Sequence, residues 1–112
     1  MKINKLQQYI WATEFLIQDK MSWTKNVFAR DSNKQEVDRL SADAVKWCVL
    51  GGLDFITDKT KEKTTIFSIV KNTANKIYFT EPSLINDFKG HDVVLNLLNQ
   101  AFNAARYYRD NK

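Results

Sequence analysis

Cysteine, histidine and proline occur once each in these 112 residues, and glycine three times. One cysteine rules out an internal disulfide framework and the common Cys-built zinc sites. One histidine rules out the usual multi-His metal centres, so no metal and no cofactor is expected. So little Gly and Pro argues against collagen-like, linker-rich or turn-dense all-β chains. Long apolar runs are missing too. The longest, Trp47 to Leu53, has seven residues and two of the three glycines, far short of the roughly 18–20 a membrane span needs. The start, MKINKLQQYI, lacks the apolar stretch of a secretory signal, because Asn4, Lys5, Gln7 and Gln8 interrupt it. With an unpaired cysteine, this predicts a cytoplasmic protein with no membrane partner.

What the chain does have is bulk for a core: seven Phe, four Tyr and three Trp. Its length suits one compact domain over residues 1–112. The net charge of +4 is local. Residues 1–58 carry eight basic and eight acidic side chains, and residues 77–112 carry four of each. The whole excess lies in 59–76, where Lys59, Lys61, Lys63, Lys71 and Lys76 face only Glu62. Such a segment is a candidate patch for an anionic partner, nucleic acid included, or a solvated helix face. Lysine without arginine makes it a modest phosphate binder.

Helical periodicity organises most of the chain. Leu6, Tyr9, Ile10, Thr13, Leu16 and Ile17 make one apolar face of a helix over Ile3–Asp19. Trp11 and Phe15, four apart, lie on a second face, where they either pack or meet a partner. Residues 26–38 read as a small β-hairpin, with the polar cluster Asp31-Ser32-Asn33-Lys34 as its loop. Ser41 is placed as N-cap of a buried central helix over 44–56, apolar on all sides and containing Gly51-Gly52. Thr64 or Thr65 caps a third helix bearing Ile66, Ile69, Val70, Thr73 and Ile77. Pro82 marks a loop, and Asp92 caps a last helix with Val94, Leu97, Leu98, Ala101, Ala105 and Tyr108 in a stripe. The expected fold is mainly α: about four helices around the central one, plus the hairpin.

Chemistry is sparse. Cys48, His91 and Asp92 are the components of a cysteine-nucleophile triad. Cys48, however, sits in the most apolar helix, where a thiol is inert, and His91 reads as a solvent-facing residue at a helix start. No G-x-x-x-x-G-K, G-x-G-x-x-G or H-E-x-x-H pattern occurs. Two polar clusters remain, Arg30-Asp31 and Asn86-Asp87, which either bond to turn backbone or line a shared surface.

Trp23, Ala29-Arg30-Asp31, Val37, Ala44, Trp47-Cys48 with Gly51 and Leu53, and Asn86-Asp87 before an apolar helix form an ordered series. The series resembles a bacterial and phage family of domains of unknown function, whose members carry a W-C-x-x-G-A-L helix and a later W-N-D stretch. It spans roughly residues 6 to 105. Gly52 stands where that family usually has alanine, Ile85 where it often has tryptophan, and Lys34 where it often has glycine. The resemblance implies a mainly helical domain in a microbial or phage setting, and brings no activity or catalytic residue. The function expected is a non-enzymatic module that binds another protein, with Trp11, Phe15, Trp23, Arg30, Asp31, Asn86 and Asp87 as candidate contact residues. In a phage setting, that partner is a host protein. Nucleic-acid binding through 59–76 is the alternative, and an enzyme using Cys48 a third.

Overall fold

The first helix, α1 (Lys5–Ile17), is set by a reciprocal cap. Asn4 Oδ1 accepts from the Gln7 N–H at 2.8 Å, and Gln7 Oε1 accepts from the Asn4 N–H at 3.1 Å. The same two side chains donate onward, Asn4 to the Ala105 carbonyl at 2.9 Å and Gln7 to the Phe102 carbonyl at 3.2 Å. The start of α1 thereby satisfies acceptors at the end of the last helix, which a helix C-terminus leaves without internal partners. A computed structural model describes residues 2–108.

After a single 3₁₀ turn, Lys20–Ser22, the chain bends through residues 25–28 into β1 (Ala29–Arg30). One edge of β1 closes the expected hairpin turn. Arg30 bridges Glu36, the Val37 N–H donates to the Ala29 carbonyl at 3.1 Å, and Asp31 Oδ1 accepts from the Asn33 and Gln35 N–H groups at 2.9 and 3.0 Å. The other edge pairs antiparallel with β2 (Lys46–Trp47), in register Ala29↔Trp47 and Arg30↔Lys46. Residues 44–48 are therefore extended, and the helix expected over 44–56 begins only at Val49. Ser41 caps no helix; its Oγ accepts from the Asp43 N–H at 3.1 Å inside a turn. The physical reason lies on β1, whose unpaired edge offers this short apolar run a ladder while Ala44 and Trp47 still reach the core.

The central helix, α2 (Val49–Thr57), takes Cys48 as its N-cap, with Sγ accepting from the Gly51 N–H at 3.3 Å. α3 (Lys63–Tyr78) follows Glu62 rather than a threonine cap, and stops at Phe79, which takes the left-handed conformation with φ 59° and donates its N–H to the Asn75 carbonyl. The expected loop at Pro82 is a fifth helix, α4 (Pro82–Phe88), with proline in its first turn, where a missing N–H costs nothing. α5 (His91–Ala105) follows Gly90, whose φ of 97° favours glycine, so Asp92 lies in the first turn and is not the cap. Arg106 follows α5 directly; Arg109 lies outside the described residues.

The domain is mainly helical, with one small antiparallel pair. α2 and α5 each touch α1, α3 and α4. Leu6, Ile10, Leu53, Ile66, Ile85, Leu97 and Leu98 are wholly buried in the one core these helices share.

Candidate functional site

Two of the residues singled out in the sequence, Trp23 and Asp87, converge on a third, Asn86, which is 1% exposed. Its Oδ1 accepts from the Trp23 indole N–H at 2.7 Å and from the Val49 N–H at 2.9 Å. Its Nδ2 donates to the Thr24 carbonyl at 3.0 Å and to Asp87 Oδ1 at 3.1 Å. Asp87 Oδ1 also accepts from the N–H of Asn26, a residue held at φ 73°. Arg30 donates to Thr24 Oγ1 at 2.8 Å and to the Lys34 carbonyl at 3.0 Å. Trp23 and Asp87 are thus joined to Asn86, Arg30 reaches the same place through Thr24, and Asp31 is engaged only by its own turn, accepting from the Asn33 and Gln35 N–H groups. All but Asp31 belong to the joint between the 23–30 segment, the start of α2 and α4, not to a free contact surface. Gly51 belongs to the same joint: a Cβ there would stand 2.2 Å from the Phe28 carbonyl oxygen.

Cys48, His91 and Asp92 are not assembled; none of the three hydrogen-bonds another. His91 is buried rather than solvent-facing, its Nε2 lies 2.7 Å from the Ile17 carbonyl, and its ring packs 5.2 Å from that of Trp23. A carbonyl can only accept, so Nε2 carries the proton. Burial pushes the Cys48 thiol above its ordinary pKa, and the nearby Asp87 charge pushes it the same way. Among the described residues, no three His, Cys, Asp or Glu side chains group closely enough to hold a metal ion. No helix among them is long and apolar enough to cross a membrane.

The five lysines do not form one patch. Lys63 is held on Asp54 at 2.6 Å, while Arg39 pairs with the other carboxylate oxygen. Lys71 and Lys76 are five positions apart on α3 and so point about 140° apart around it. Lys76 lines a different hollow, with Arg106 and Tyr107. Lys63 and Lys71 line one hollow together, while Lys59 and Lys61 are exposed in the α2–α3 connection.

A groove that sequence reading missed runs between α2, α3 and α4. It has two hollows, of about 480 and 210 Å³, that share Leu50 and Ser83 as a saddle. Asp54 stands in its wall between two cations, each over an aromatic ring: Arg39 is 4.5 Å from the Phe28 centroid and Lys63 6.0 Å from that of Phe67. The residues come from five separate segments, and no local spacing signals them.

No family model, curated protein or solved structure matches the chain.

One pair from the sequence reading remains free. Trp11 and Phe15 are 57% and 61% exposed, with ring centroids 6.0 Å apart, on the face of α1 away from the core. Trp23 is half-buried and Trp47 only 8% exposed, so Trp11 alone of the tryptophans faces solvent. Beside the pair, partial burial raises the Glu14 carboxyl above the usual carboxylate range.

Proposed function

We propose that this domain is a non-enzymatic protein-interaction module whose contact surface is the Trp11–Phe15 ledge of α1. One observation carries the reading: two large aromatic side chains are paired with each other and left out of the core, in a chain whose other tryptophans are buried or half-buried. Exposed large aromatics are the side chains that most often anchor an interface. The other candidate contact residues already serve the fold, and the lysines are divided between faces. The cytoplasm is the compartment proposed, and the family resemblance supplies a bacterial or phage setting, in which the partner is a host protein.

The test is capture from nuclease-treated lysate of the encoding organism, with the wild type and the Trp11→Ala/Phe15→Ala variant immobilised side by side. A stoichiometric protein held by the first and lost by the second is the expected result. A band held equally by both would move the contact elsewhere. Material that leaves with nuclease would transfer the reading to the lysines.

A further inference from the structure

Resting on that reading, we infer that the α1 ledge binds a second copy of this chain, α1 against α1, antiparallel. The outward strip of the helix is Gln8, Trp11, Phe15 and Gln18, all exposed and none of them charged. Their spacing is symmetric about position 13: Gln8 and Gln18 lie five residues to either side, Trp11 and Phe15 two. A two-fold interface requires a patch complementary to itself, with residue i on residue j and j on i. In this register, Trp11 meets the partner's Phe15 and Gln8 meets the partner's Gln18, each twice.

Charge fits the same register. Lys5, at the start of α1, and Asp19, two residues past its end, are exposed and fall on one flank of the strip; Asp19 Oδ1 accepts from the Met21 N–H at 2.9 Å, and the carboxylate stays at the surface. Reversing the second copy brings Lys5 beside the partner's Asp19 with an axial offset of about 3 Å, and symmetry makes the contact twice. A parallel two-fold pairing would instead put the two copies' Lys5–Asp19 flanks on opposite sides of the seam, leaving both charges unpaired. On the other flank, Glu14 comes close to its own symmetry mate near the axis, one like-charge contact against two attractive ones. The two exposed rings offer roughly 200–300 Å² per copy, well below the roughly 800 Å² per partner of a standard stable interface. The dimer is accordingly a weak, reversible one.

Sedimentation equilibrium of the purified full chain, from about 10 μM to about 1 mM, tests this. The expected result is a monomer–dimer equilibrium that Trp11→Ala/Phe15→Ala abolishes. Lys5→Glu places like charge at both ends while leaving an acid in the first turn of α1, where the helix favours one. It should weaken the dimer about fivefold, and adding Asp19→Lys should restore it. Glu14→Gln should tighten it. A dimer indifferent to the aromatic pair overturns the inference, and failure of the double charge exchange to restore association overturns the antiparallel register. A chain monomeric throughout, yet still capturing a lysate protein through Trp11 and Phe15, overturns the second copy and leaves the interaction module standing. A monomer that captures nothing overturns both.

Discussion

Asn86 Oδ1 accepts the Trp23 indole N–H at 2.7 Å across 63 residues of chain. The same oxygen takes the Val49 N–H, one of the orphan donors at the start of α2, so a single side chain of α4 locks a loop and a helix terminus together. Trp23, Trp47, Cys48, Asn86 and Asp87 meet at this joint, which holds the three segments in place.

Asn86→Ala would leave the Trp23 and Val49 donors and the Thr24 acceptor without partners in a buried setting. Each such group costs about 1–3 kcal/mol, so the variant should lose roughly 3 kcal/mol or more. Urea denaturation followed by tryptophan emission measures it, and a loss under about 1 kcal/mol would show that the joint is not a determinant of stability.

The adjacent glycines of α2 should answer alanine in opposite directions. At Gly51 the new methyl meets the Phe28 backbone at 2.2 Å, which something must move to relieve. At Gly52 the nearest atoms are side-chain carbons of Ile17 and Thr13 at 3.5 Å, an ordinary contact. Gly52→Ala should therefore stabilise by up to about 1 kcal/mol through helix propensity, whereas Gly51→Ala should destabilise by about 2 kcal/mol or more. Midpoints of thermal or urea unfolding separate the two.

Cys48 should be slow to alkylate. Its thiol is held above the ordinary range, chiefly by burial, so less thiolate is present at any given pH than in the unfolded chain. At pH 8, iodoacetamide should label the native protein at least about tenfold more slowly than the urea-unfolded one. The sign for stability follows. A folded-state pKa raised above the unfolded value favours the fold while the thiol is protonated, and that contribution is lost as pH rises through the alkaline range. Cys48→Ser should reduce the alkaline decline of the unfolding midpoint; an unchanged decline would assign it to other groups.

Asp54 should matter more than either cation it holds. Arg39 and Lys63 are 39% and 42% exposed, so each pair is screened by solvent and contributes at most about 1 kcal/mol. Lys63→Ala should therefore change stability by under about 1 kcal/mol, while Asp54→Ala releases both cations from the groove wall and should lose roughly 1–2 kcal/mol. The Asp54→Ala loss should shrink in 0.5 M salt, where the paired charges are screened more strongly; salt-independence would argue for packing instead.

How much of this was legible beforehand follows from where each signal resides. The apolar stripes of α1, α3 and α5 are local, repeating every three or four residues along continuous helices, so those helices and most of the residues each turns to the core follow from spacing alone; Ile77 and Tyr108, at the far ends of two stripes, are exposed. Spacing also placed Trp11 and Phe15 off the main face of α1. Residues 44–48 were not decidable that way, because a short apolar run suits either helix or strand until the edge of β1 stands beside it. α4 had a signal in proline followed by Leu84, Ile85 and Phe88, but at seven residues it is too short to hold as a helix without its neighbours. The Asn86 joint, the buried His91 and the Asp54 groove were decided by tertiary structure alone. Each depends on donors, carbonyls or cations brought together from distant parts of the chain, and a buried polar group is stable only once those partners have arrived.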